Sequence, residues 1–184
     1  QGASPRGLAL RVSGAAGPLQ LDLAAGAAPG LRALQVLLIL EDGASLELLL
    51  NPSSSGVNAT SLVTVAQLGR GARLHLGLLA PGDPRACLLG HLAISQAPDS
   101  ELELTTASGG WAFSRLEPRI AQREGAARTR LRALQLVDGQ ELADTHSLVR
   151  FEGPDGQLDQ LHKVVADGAG RSVFNGAVQV PRPA

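Results

Sequence analysis

The chain of 184 residues has no methionine, no tyrosine, one cysteine, one tryptophan and three phenylalanines. Each shortage excludes something. A lone Cys87 rules out an internal disulfide framework and any multi-cysteine metal site, and is expected as a small buried hydrophobe. Without large rings, the core must be thin and layered, filled by small and branched side chains. The missing methionine places the natural start of translation upstream of Gln1. No apolar run approaches the roughly 18 residues of a membrane span, and "VLLIL" at 36–40 has the length of a core strand. No secretory signal is visible. An excess of one charge is also missing, since 16 basic residues face 17 acidic ones. No net field therefore steers the chain to nucleic acid or a membrane surface, and neither is expected as a partner. All the basic residues but Lys163 are arginine, a bias read as genomic. The one basic cluster, Arg128, Arg130 and Arg132, alternates and would line one face of a strand.

What is present is alternation. Leu46, Leu48 and Leu50 alternate with Glu47 and Leu49, Leu74, Leu76 and Leu78 with His75 and Gly77, and Leu102 and Leu104 with Glu101 and Glu103. That period of two belongs to strands with one buried face. Turn signals precede each run, in "EDGAS" at 41–45, "GRGAR" at 69–73 and "APDSE" at 97–101. The best helical candidates, 28–36 and 115–124, are short. "NAT" at 58–60 fits a glycosylation sequon but is read as turn chemistry.

The spacing decides more than the composition. Leu46, Leu74 and Leu102 stand 28 residues apart, as do Gly43, Gly71 and Asp99 in the preceding turns. Further on the register slips, with Leu131 one place beyond the due position. Second runs at 34–40, 62–68 and 88–95 lie between, so each repeat holds about two strands and two turns. Such a period is too short for a four-stranded propeller blade and signals stacked coils. A β-sandwich remains the alternative on pattern alone.

No constellation declares an active site. His75 falls on an outward position, and His91 would line a core or a groove. His146 and His162 lack the i, i+4 partner of a helical metal site. Asp144, His146 and Ser147 can be drawn as a hydrolytic triad, but no G-x-S-x-G elbow supports it. "GAGRSVFNG" at 168–176 is followed by a strand signal rather than a helix, which argues against a phosphate loop. Glu101 and Glu103 share a strand face and read as solubilising decoration rather than as a glycosidase pair.

The stretch "DTHSLVRFEGPDGQLDQLHKVVADGAGRSVFNGAVQVPRPA" (144–184) resembles the SufB/SufD family, subunits of the Suf iron–sulfur cluster assembly complex. Asp144 and His146, "QLHKVVAD" and above all "RSVFNG" carry the resemblance. "VLLILEDGASLELLL" at 36–50 and "NATSLVTVAQLGRGARLHL" at 58–76 look like earlier coils of the same family. Within it, "VFNG" at 173–176 resembles the SufD branch, where SufB-like chains carry a Tyr-Arg-Gly type segment. In the family, Ala184 would open a long continuing segment.

The resemblance implies an all-β fold, a right-handed parallel β-helix forming a single domain over 1–184, with 1–33 as its opening segment. It implies a cytoplasmic (or plastid stromal), non-catalytic scaffold that pairs with SufB. Docking of the SufC ATPase would use parts beyond this sequence. The whole complex handles a nascent cluster, ATP on SufC and reduced flavin, but no catalytic, cofactor-binding or metal-ligating residue is assigned within 1–184. Phe174 is expected as an aromatic plug in the coil interior, with Val178 and Val180 short of packing and prone to self-association. A β-helical carbohydrate-active protein would need one residue type recurring along a groove, which Glu47, His75 and Glu103 do not supply. An adhesin would want Asn/Thr ladders and a signal sequence.

Overall fold

A computed structural model describes residues 6–25 and 28–181. Among these residues the chain is all strand, with no helix. The strands are β1 (Arg6–Val12), β2 (Ala15–Asp22), β3 (Gly30–Leu40), β4 (Ser45–Asn51), β5 (Asn58–Leu68), β6 (Arg73–Pro81) and β7 (Cys87–Gln96). They continue as β8 (Glu101–Gly109), β9 (Phe113–Gln122), β10 (Arg128–Val137), β11 (Leu142–Phe151), β12 (Gln157–Ala166) and β13 (Arg171–Gln179). Odd-numbered strands pair in sequence as a seven-stranded sheet, and even-numbered strands as a six-stranded one. Every pairing is parallel, as in Leu46 opposite Leu74 and Leu74 opposite Leu102. The result is a parallel β-solenoid of about six turns, each giving one strand to each sheet.

The register follows the apolar repeat. Leu48, Leu76, Leu104 and Leu131 form one continuous inward row, the last step being one residue shorter than the two before it. Leu131 therefore continues the Leu104 row one residue early rather than the Leu102 row one residue late, and Thr129 takes the place after Leu102. Inward residues of both sheets merge into one core containing Leu38, Leu40, Leu50, Leu62, Leu78, Leu88 and Leu92. Each fully buried leucine contributes about 1.5–3 kcal/mol relative to exposure, so the stack rather than any single coil carries the stability.

The turns between β3 and β4, β5 and β6, and β7 and β8 stack as a second ladder. Gly43 N–H donates to Arg70 O at 2.8 Å, and Gly71 N–H donates to Pro98 O at 3.1 Å. Gly43, Gly71 and Asp99 occupy one left-handed position with φ of 70°, 64° and 60°. Asp is among the few side chains that tolerate this geometry, which is why it can replace glycine there. On the opposite edge, Trp111 is buried and its Nε1–H donates to Ala80 O at 2.9 Å. Its ring leaves no room beside Gly82, where a Cβ would lie 2.5 Å from it.

Several expectations are corrected. The two helical candidates are strands, β3 covering most of 28–36 and β9 most of 115–124. Burial against both neighbouring coils overrides the weak local periodicity. Cys87 is not core filler: it opens β7 on the outward face and is half-buried. The "NAT" asparagine is buried at the start of β5, and Ser54 Oγ donates to its Oδ1 at 2.9 Å. Ala184 lies outside the described residues.

Candidate functional site

Two polar regions distinguish the C-terminal coils. One is inside the solenoid. The row Leu50–Leu78 continues as Thr106, Ala133 and His162, and the row Leu104–Leu131 continues as Gln160. Across the interior, Leu40 and Leu68 give way to Gln96 and Gln122. Because a buried amide must find partners, these side chains are tied together. Thr129 Oγ1 donates to Gln96 Oε1 at 2.5 Å, and Gln122 Nε2 donates to Thr129 Oγ1 at 2.8 Å. Gln135 Nε2 donates to Thr145 Oγ1 at 2.9 Å, while Ser172 Oγ donates to Gln135 Oε1 at 2.7 Å. His162 Nε2 lies 3.1 Å from the same Gln135 oxygen. Gln160 Nε2 donates to Ser147 Oγ at 2.8 Å.

His162 is the titratable member of this network. Burial holds its pKa below the usual histidine range, which favours the neutral ring. Phe174 stacks on it with ring centroids 4.5 Å apart. Phe174 thus occupies an inward row, opposite Thr145, as expected of a plug. It is nonetheless 44% exposed, because β13 is the outermost described strand of its sheet. Val178 and Val180 are exposed for the same reason.

The other region is the outward face of the seven-stranded sheet. Arg115 on β9 sits opposite Asp144 on β11 and bridges it at 3.0 Å while holding Glu117 at 2.6 Å. Arg119 reaches Glu117 at 3.3 Å, and His91 Nδ1 lies 3.6 Å from it. The Arg115 hydrogen bond, aided by Arg119, lowers the Glu117 pKa. His146 Nε2 is 2.9 Å from Asp144 Oδ1. The triad reading fails on strand alternation, since Asp144 and His146 face outward and Ser147 faces the interior, bonded to Gln160. His91 lines neither core nor groove but joins this ion-paired patch.

The six-stranded sheet carries the arginine cluster expected from the sequence. Arg128, Arg130 and Arg132 lie along one face of β10, paired with Glu101 at 2.6 Å, Glu103 at 3.4 Å and Asp159 respectively. Glu47, His75 and Glu103 share one outward column, in which His75 breaks any run of one residue type. Glu101 and Glu103 are therefore partnered carboxylates on a solvated face. Residues 168–176 are a turn followed by β13, with no helix to receive a phosphate. Among the described residues no three His, Cys, Asp or Glu side chains are placed to hold a metal ion. Nor, among the described residues, is any helix long and apolar enough to cross a membrane.

The inward roles of Gln135, Gln160 and His162 were missed in the sequence. Carrying the leucine rows forward through the changed spacing would have found them.

The geometry defines a class before it defines a family: a parallel β-solenoid whose polar groups serve its own packing and its faces. Residues 24–184 match the SUF system FeS cluster assembly SufBD core domain, and the chain belongs to that family. A 92-residue stretch is 36% identical to an iron–sulfur cluster assembly SufBD family protein of Synechocystis. That stretch is 50% of this chain and 20% of the cyanobacterial protein. No solved structure matches.

Proposed function

We propose that the chain is the β-helical core of a SufD-type scaffold subunit of the SUF iron–sulfur cluster assembly machinery. The observation that carries this reading is the family match over 24–184 on a chain built as stacked parallel coils. "VFNG" at 173–176 favours the SufD branch over SufB. In this role the protein works in the cytoplasm as a single β-helix domain and catalyses no turnover of its own. It pairs with a SufB-type subunit, and the SufC-type ATPase docks through parts beyond residues 1–184. The nascent cluster is cargo of the assembled complex, and no residue described here is assigned to it.

Co-expression of the full-length protein with SufB-type and SufC-type subunits tests the reading. A stable complex containing all three on size exclusion is expected. In a parallel co-expression with SufD-type and SufC-type subunits, a complex in which the protein takes the place of the SufB-type subunit would overturn the assignment to the SufD branch. No association with either partner would overturn the scaffold role.

A further inference from the structure

Between the sheets, from β7 to β12, lies a small cavity of about 20 Å³ whose lining includes Thr106, Pro118, Ala133, Thr145, Gln160 and His162. Its origin is visible in the rows. Where Leu50 and Leu78 stack in earlier coils, the continuing row shrinks to Thr106 and Ala133 before reaching His162. Across from it, Pro118 has no N–H to donate, and the β9–β11 pairing is interrupted between Thr145 and Leu148. Missing side-chain volume on one sheet thus meets a loosened ladder on the other.

His162, on the wall of this cavity, carries an unmet acceptor. Its Nε2 is engaged by the Gln135 oxygen, an oxygen that can only accept, so the ring proton resides on Nε2. Its Nδ1 is out of solvent and has no hydrogen-bond partner in the protein. One ring face is covered by Phe174. A buried acceptor without a donor is costly, and it is normally met by an ordered water where space and further polar groups allow. The volume admits one water-sized group, since about 10–15 Å³ on this measure suffices. Thr145 and Gln160, both on the wall, supply further polar atoms.

We propose that this cavity is a binding site for a single water-sized hydrogen-bond donor, water in the free protein, which donates to His162 Nδ1 and links it to Thr145 or Gln160. The site joins the two sheets at the coil where direct apolar contact thins out. It is independent of the SUF reading, because it rests only on the cavity and the orphaned nitrogen.

A high-resolution crystal structure of the full-length protein is the direct test. An ordered density peak within hydrogen-bond distance of Nδ1 and of a Thr145 or Gln160 oxygen is expected. A cavity without a peak, or Nδ1 bonded to a protein group, overturns the proposal. Nitrogen-15 NMR of the imidazole should report a proton on Nε2 and a hydrogen-bonded acceptor at Nδ1, and a proton on Nδ1 would sink it. Filling the cavity supplies a sign test that needs no crystal. Ala133→Val should lower the melting temperature by displacing the water, and lower it less in a His162→Phe background. An equal effect in both backgrounds, or a rise in melting temperature in the parent, means a dry cavity.

Discussion

The early and late coils of this solenoid solve the same problem with different materials. In β4 and β6 the inward positions are aliphatic, Leu46, Leu48 and Leu50 upon Leu74, Leu76 and Leu78, with Ala80 beyond them, each almost inaccessible to solvent. In β10 to β13 the inward positions of the two sheets include Thr129, Gln135, Thr145, Gln160, His162 and Ser172, each tied by side-chain hydrogen bonds. Backbone pairing is parallel in both regions, the gap between β9 and β11 aside, so the main difference lies in what holds one sheet against the other. Leucine layers are non-directional and tolerate small shifts between coils. The amide and hydroxyl network is directional, fixes one register, and loses stability whenever one member is removed.

The largest expected effect tests the apolar half. Leu74→Asp buries a carboxylate on an inward position with leucine on either side of it in its row, Leu46 and Leu102. The cost is at least several kcal/mol, comparable with the whole stability of a domain. The variant should show no cooperative melting in circular dichroism. A midpoint within a degree or two of the parent would mean that the inward assignment is wrong.

A smaller and more local effect is expected in the polar half. Gln135→Leu leaves Thr145, His162 and Ser172 without their common partner, at a cost of about 1–3 kcal/mol per unsatisfied group. Amide hydrogen exchange should quicken in β10 to β13 while β4 to β6 keep their protection, because coils are held chiefly by their neighbours. Uniform acceleration across all coils would show that the two halves are not energetically separable.

Acidification should sharpen the same contrast. The folded His162 pKa is lowered by burial, so between it and the unfolded value near 6.5 the unfolded chain binds more protons. Stability from this source is fully present above about pH 6.5 and is lost as pH falls below it toward the folded pKa. Denaturant midpoints measured from pH 7.5 to 5.5 should fall in the parent and fall less in His162→Phe. Parallel pH profiles would remove His162 as the responsible group.

The apolar half was also the legible half. Leu46, Leu74 and Leu102 declare coil length, face and register at once, because an unbroken leucine repeat has one structural solution. The polar half was read less well for a physical reason. Gln135 and Gln160 alternate as strictly as the leucines do, but an inward amide carries no local sign that its partners wait a coil away. Thr145 shows the same problem, since its partner Gln135 belongs to the other sheet. Cys87 misled because small hydrophobes are usually buried, whereas strand alternation puts it outward. The triad of Asp144, His146 and Ser147 dissolves as soon as odd and even positions are separated.

The smallest expected effect concerns the outer faces, which separate the two halves hardly at all. Arg128 holds Glu101 at 2.6 Å, with Arg73 at 3.8 Å on the other side, and the Arg128 hydrogen bond lowers the Glu101 pKa. Both partners are well exposed to solvent, so the pair is discounted to the range of surface ion pairs, about 0–1 kcal/mol. A lowered carboxylate pKa contributes above the unfolded value of about 4.5 and is lost as pH falls through the folded one. Arg128→Ala should therefore shift the melting midpoint slightly at pH 7 and low salt. The shift should shrink at 1 M salt, where the screening length is about 3 Å. It should shrink again as pH falls from the unfolded value through the lowered folded pKa of Glu101, where the carboxylate loses its charge. A large salt-insensitive loss would mean that Arg128 acts through its aliphatic stem packed over β8 and β12, and the outer ladder would then belong with the core in the comparison of the two halves.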